Sequence, residues 1–111
     1  LVPVQGEYYA LEGISDLMGT VRIVRRSMNP SLEIEGVLLT MYDGRTNLNI
    51  QVAQELKRFF GGKVYSTIIP RNVRLSEAPS HGKPISAYDR TCRGAEAYKA
   101  LAAEFLRKNN C

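Results

Sequence analysis

The chain is 111 residues long, room for a single domain that hides roughly 60–70% of its unfolded surface. With 44% hydrophobic and 23% charged residues it has an ordinary globular composition, which excludes a disordered or collagen-like polymer. The net charge of +4 is unevenly spread: residues 1–44 hold three arginines against six acids, net −3, and residues 45–111 hold twelve lysines or arginines against five acids, net +7.

That asymmetry points to a polyanion, nucleic acid or an anionic membrane, facing the second part, although solvated surface cations would produce it too. Apolar runs last only a few residues, far below the ~20 that a membrane-spanning helix needs. No signal or transit pattern stands at the start, and the opening LVPVQ without a methionine reads as that of an excised segment. Cys92 and Cys111 form neither a metal spacing nor a disulfide framework, so reduced thiols and a cytoplasmic setting are expected.

Val2 to Val4 reads as the tail of a strand. From Tyr9 to Met28, Leu11, Ile14, Met18, Val21 and Val24 recur at three- and four-residue spacing, one face of a helix. Arg22, Arg25 and Arg26 sit toward its end, where cations suit the macrodipole, and Asn29-Pro30 stops it. Ile34 to Met41 is a short apolar run of the kind buried on both faces of a parallel sheet. After an Asp43-Gly44 turn, a second helix is predicted from Asn47 to Phe60, capped by Thr46 or Asn47, with Ile50, Ala53, Leu56 and Phe60 inward and Gly61-Gly62 closing it.

Val64 to Ile69 is a third strand. Residues 70–93 read as a long connection punctuated by prolines, with one helical turn near Leu75 to Ala78, and connections of this length are usually functional or disordered. A last helix carries Ala95, Tyr98, Leu101, Ala102 and Phe105 on its inward face. The order is α/β with a parallel sheet of about three strands flanked by helices. The apolar edge at Val2 to Val4 is expected to be uncovered, which invites self-association.

Loops following the ends of parallel strands are where ligands collect in such sheets. Two segments stand there: TMYDGRTN (residues 40–47) and IIPRNVRLSEAPSHGKPI (residues 68–85). Pro70 fixes the backbone at a strand end, and Asn72 brings a donor and an acceptor behind it, although a proline there equally serves as a plain strand terminator. Arg45 and Arg74 each follow a strand end and lack an obvious i,i+4 acidic partner. No glycine-rich phosphate loop occurs anywhere in the chain; in Gly82-Lys83-Pro84 no glycine run precedes the lysine and no Ser or Thr follows it. His81, the only histidine, has no ligand set around it, and Ser76, Ser80, Glu77 and His81 are neighbours in sequence rather than a triad.

The segments VPVQGEYYALEGISDL, EGVLLTMYDGRTNL, VYSTIIPRNVRLSEAPSHGKPI and RGAEAYKALAAEFL together resemble the ParA/Soj family of chromosome-partitioning ATPases, within the deviant P-loop group that also contains the MinD-type membrane ATPases. The resemblance covers nearly the whole chain, and IPRNVRLSEAPSHGKP favours the Soj-like branch. It implies that residues 1–111 are the carboxyl-terminal half of a P-loop NTPase-like domain, with the Walker A and Walker B motifs upstream and no catalytic residue in this chain. It further implies ATP and Mg²⁺ in the parent protein, neither held tightly by this part alone.

By the same resemblance Pro70 and Asn72, with Thr40 and Met41, lie on the adenine side of the nucleotide. Arg45 and Arg74, widened by Arg71 and Lys83 and by Arg90 and Arg93, bind DNA without reading sequence. Gln5, Glu7 and Tyr8 lie near a nucleotide-dependent homodimer face. The parent is then a nucleoid-associated cytoplasmic protein that answers to a ParB-like partner. The alternatives are a MinD-like membrane ATPase, disfavoured because only RKNNC follows Phe105-Leu106, and a basic binding or assembly module that uses no nucleotide.

Overall fold

A computed structural model describes residues 1–7 and 9–110. Three parallel strands, β1 (Val2–Gln5), β2 (Val37–Tyr42) and β3 (Val64–Pro70), stand side by side in that order. Helices α1 (Ala10–Ser27) and α2 (Asn47–Phe60) connect them in turn. Beyond β3 come α3 (Val73–Glu77), α4 (Ile85–Tyr88) and α5 (Arg93–Lys108), with single 3₁₀ turns at Gly61–Lys63 and Ala78–His81. The α/β class with a three-stranded parallel sheet matches the sequence expectation.

β2 is central, so both its faces are covered, and Val37, Leu38 and Leu39 are all buried. Val37 and Leu39 pack with Val4, Val52, Ala53 and Leu56, joined by Ala10 and Ile14 of α1. Leu38 turns the other way and packs with Tyr65 and Ile69 against Leu75, Ala97 and Leu101. The result is three layers, with α1 and α2 on one face and α3 and α5 on the other.

Several boundaries and faces differ from the periodicity. β2 starts at Val37 rather than Ile34, because residues 34–36 only lead into the sheet, where a Cβ on Gly36 would stand 2.4 Å from the Tyr65 ring. α2 begins at the Thr46 cap, whose hydroxyl accepts the Asn49 N–H, and ends at Gly61, whose positive φ of 58 suits glycine, as expected. Its buried face is Val52, Ala53 and Leu56, while Ile50 is exposed. The 70–93 connection is not mostly irregular: it folds into α3, a 3₁₀ turn and α4. In α5, Tyr98, Ala102 and Phe105 face outward, and Gly94, Ala95 and Glu104 are the buried positions.

Glu104 explains that rotation. Its carboxylate is 5% exposed and accepts the backbone N–H groups of Ser66 and Thr67 on β3, each at 2.8 Å. Consecutive N–H groups of a regular strand point to opposite sides, so receiving both requires a break in the strand. The break is there: between the pairs Val37↔Val64 and Leu39↔Ile68, β3 advances four residues while β2 advances two. Burial raises the affinity of Glu104 for a proton, but the Thr67 hydroxyl, the two N–H groups and Lys108 outweigh it and hold the carboxyl below its ordinary 4.5. Lys108 Nζ completes the corner, 3.2 Å from the Gly62 carbonyl and 4.5 Å above the Tyr65 ring.

Removing this carboxylate strands two backbone donors. Glu104→Ala is expected to lower unfolding free energy by about 2–4 kcal/mol in urea titrations. Because the folded state holds the carboxyl ionised to lower pH than the unfolded chain does, its contribution is complete above pH 4.5 and lost as pH falls through the depressed value. Glu104→Ala should therefore show a shallower acid loss of stability than the parent sequence between pH 5 and the acid transition, read by circular dichroism.

Candidate functional site

The carboxyl ends of the strands open into a cleft of about 490 Å³ whose lining includes Thr40, Met41, Pro70 and Asn72, the four residues expected on the adenine side. β2 delivers the first pair, the end of β3 delivers Pro70, and the turn into α3 delivers Asn72. A second irregularity shapes this end: from Leu39↔Ile68 to Tyr42↔Pro70, β2 advances three residues and β3 two. The extra residue is accommodated where Met41 takes φ 49, a left-handed conformation usually reserved for glycine at a bulge. Unfavourable backbone of this kind tends to accumulate at binding sites, and here it sits on the rim of the cleft.

Asn72 occupies the N-cap position of α3, yet its side chain makes no capping hydrogen bond. Its Oδ1 is buried and accepts no hydrogen bond. A buried acceptor left open costs about 1–3 kcal/mol in the empty state, so it is a natural place for a ligand donor. Pro70 supplies an apolar wall beside it. Pro3 of β1 and Tyr98 of α5 also line the cleft and were missed by sequence reasoning. Tyr98 was assigned to the docking face because the helical period fits several faces of an alanine-rich helix; Pro3 carried no signal beyond its place in a strand.

The Pro70–Val73 segment is a wall shared with a second depression, lined by Tyr42, Asp43, Gly44, Arg45, Arg71 and Arg93 among others. Arg45 and Arg71 are thus brought together, with Arg93 from the start of α5. Arg45 does have an acidic partner, two residues upstream rather than four away: its Nε and Nη2 each lie 3.0 Å from the Asp43 carboxylate, and its own N–H caps the same group. Those hydrogen bonds, side chain first, hold the Asp43 carboxyl down at about 2. The Arg45 side chain is still 90% exposed, so its outer face is open to an anion.

Arg74 stands apart from that groove on α3. It too is paired, with Glu77 at 3.3 Å and Asp89 at 3.4 Å, where the sequence had offered no i,i+4 partner. Lys83 is exposed, outside the lining of either depression. His81 stacks on Tyr88 with ring centroids 4.9 Å apart, a structural contact that braces the connection. Cys92 is a free thiol whose Sγ accepts the Ala95 N–H and caps α5.

Gln5 and Glu7 lie exposed at the carboxyl end of β1, and Tyr8 lies outside the described residues. β1 ends the sheet, with its outer edge unpaired among the described strands. Along that edge runs a shallow depression lined by Pro3, Gln5, Glu7, Gly13 and Leu17 among others. Among the described residues no three His, Cys, Asp or Glu side chains are grouped to hold a metal ion, and no helix is long and apolar enough to cross a membrane.

Comparison with known proteins gives this end of the sheet a context. Residues 4–85 match the family described as the CobQ/CobB/MinD/ParA nucleotide binding domain. The chain is 65% identical over 104 residues to the sporulation initiation inhibitor protein Soj of Bacillus subtilis, covering 94% of this chain and 41% of that protein. It is 55% identical over 107 residues to the chromosome partitioning protein ParA of Caulobacter vibrioides, covering 96% and 40%, and 54% identical over 108 residues to the chromosome-partitioning ATPase Soj of Thermus thermophilus, covering 97% and 43%. The chain spans about two fifths of the length of these relatives.

A buried acceptor without a partner stabilises nothing in the empty fold. Asn72→Ala is therefore expected to leave the unfolding free energy of the ligand-free chain unchanged or raised, by up to about 1–3 kcal/mol, by scanning calorimetry. A loss of more than ~2 kcal/mol would assign Asn72 to the core instead.

Proposed function

Since the chain belongs to the CobQ/CobB/MinD/ParA nucleotide-binding family, on its Soj/ParA side, we propose that it is the carboxyl-terminal part of an ATP-driven chromosome- or plasmid-partitioning protein. The observation that carries this reading is the unpaired Asn72 acceptor in a cleft made by Thr40, Met41 and Pro70. The exocyclic amine of adenine is a donor of the kind Asn72 Oδ1 lacks, and the Pro70 ring offers a flat apolar surface for the base. When bound, ATP with Mg²⁺ supplies the hydrolysable phosphate bond. The residues of this chain bind and orient the base, while phosphate and metal ligation belong to the remainder of the parent. Purified by itself the chain then turns over no ATP.

In the parent, ATP holds a homodimer together, with Gln5, Glu7 and Tyr8 near the shared face. The dimer presents Arg45, Arg71, Arg74 and Lys83 to DNA without reading bases, because phosphate contacts position a protein but carry no sequence information. Hydrolysis, prompted by a ParB-like partner, releases the DNA, and the protein works on the nucleoid in the cytoplasm. Taken alone, the chain pairs its open β1 edge with a second copy.

Two measurements on the full-length protein check this. Asn72→Ala is expected to weaken ATP binding about tenfold, the equivalent of one well-made hydrogen bond, by fluorescence titration. Equal affinity would remove adenine from the cleft. Arg45→Ala with Arg74→Ala should lower affinity for unrelated duplexes to the same extent, with a log K against log salt slope shallower by at most about two. Unchanged DNA affinity would place the DNA surface elsewhere.

A further inference from the structure

We propose that Glu77 and Asp89 are internal competitors of DNA phosphate for Arg74, and that these two carboxylates set how readily the basic surface lets DNA go. The inference rests on the DNA-binding role proposed above for Arg74. Two carboxylates around one guanidinium leave this patch at a net −1, so a phosphate approaching Arg74 meets a surface that opposes it.

Neither acid is adrift. Tyr88 donates its hydroxyl proton to Glu77 Oε2 at 2.5 Å, the same oxygen that Arg74 Nη1 reaches at 3.3 Å. Asp89 uses Oδ2 for Arg74 Nε at 3.4 Å and Oδ1 for the N–H and hydroxyl of Thr91, at 3.3 and 3.2 Å. Each carboxylate thus has a hydrogen-bond partner besides Arg74, Tyr88 for Glu77 and Thr91 for Asp89, that remains when Arg74 turns away. Arg74 is the movable member, its side chain 54% exposed with donors to spare for an incoming oxygen.

The Arg74 distances are those of loose, solvent-exposed pairs, weak enough for phosphate to displace yet present at every encounter. DNA binding then exchanges an internal anion for an external one. That exchange makes affinity lower and less salt-sensitive than a bare arginine would give, which suits a surface that must release. Asp43 beside Arg45 is a less clean case, because its carboxylate also caps the turn through the Arg45 N–H.

The test uses the full-length protein with ATP and 60-base-pair duplexes of unrelated sequence, titrated at several salt concentrations. Glu77→Gln with Asp89→Asn keeps a side-chain oxygen for Tyr88 and for Thr91 while removing both charges. The expected result is DNA affinity higher on the order of tenfold at fixed salt, a log–log salt slope steeper by about one, and unchanged ATP affinity. The gain must vanish when Arg74→Ala is added; a gain that survives is bulk charge and overturns the proposal. Equal or weaker binding by the double variant, with Arg74→Ala still weakening binding, also overturns it and makes the acids positioning groups for the guanidinium. If Arg74→Ala alone leaves DNA affinity untouched, the DNA reading itself falls, a result distinct from the other two.

Discussion

A carboxylate buried beneath a helix sets the shape of the carboxyl end of the sheet. Glu104 accepts two consecutive backbone N–H groups of β3, and only a strand interrupted at Ser66 and Thr67 presents both to one side. The interruption decides which residues of β3 arrive at the carboxyl end of the sheet and in what orientation. Tyr65 and Ile69 stay in the core with Leu38, and Pro70 emerges beside Tyr42. An aliphatic residue at 104 would pack against the sheet equally well, but it leaves those donors unpaired. Lys108 and the Tyr65 ring close the corner around the carboxylate, so the charge is neither isolated nor fully solvated.

The amino ends of the strands are tied by different chemistry. Glu35, just ahead of β2, accepts hydrogen bonds from the Tyr65 hydroxyl and from Asn109 beyond α5. Burial first, then the Glu35 carboxylate, push the Tyr65 hydroxyl up to about 12, so it stays a proton donor across the neutral range. One end of the sheet is thus tied by side-chain hydrogen bonds to Glu35 Oε2, with Glu35 Oε1 left unpaired, while at the other end Asn72 Oδ1 is unpaired and a methionine takes left-handed backbone.

Apolar patterning made the architecture legible. The run before Asp43 reads as a strand buried on both faces because Val37, Leu38 and Leu39 are all apolar, and Asn47 to Phe60 reads as a helix because Thr46 caps it and glycine follows it. The faces of α5 were less legible: five of its sixteen residues are alanine and they lie on several faces, so the period does not choose among them, and the choice is made by an acid that hydropathy places outside. The arginine partners were hidden for a related reason. Asp43 reaches Arg45 through a turn, and Asp89 reaches Arg74 from fifteen residues away, so no helical spacing announces either. The resemblance supplied Pro70 and Asn72 as neighbours of Thr40 and Met41; strand order and register are what bring the four into one cleft.

Cleft and basic groove are not independent features placed near each other. The segment from Pro70 to Val73 is a wall of both, and Arg71 is tied to the sheet through its N–H to the Tyr42 carbonyl at 3.2 Å. Asn72 follows directly and carries the open acceptor. A ligand that pairs with Asn72 therefore acts on the same few peptide units that display Arg71. Those units have little freedom, since Pro70 fixes one backbone angle and the β3 clamp at Glu104 lies only a few residues upstream. Occupancy of the cleft and presentation of the cations share one short, stiff piece of chain, which is the shortest mechanical connection the fold allows between them.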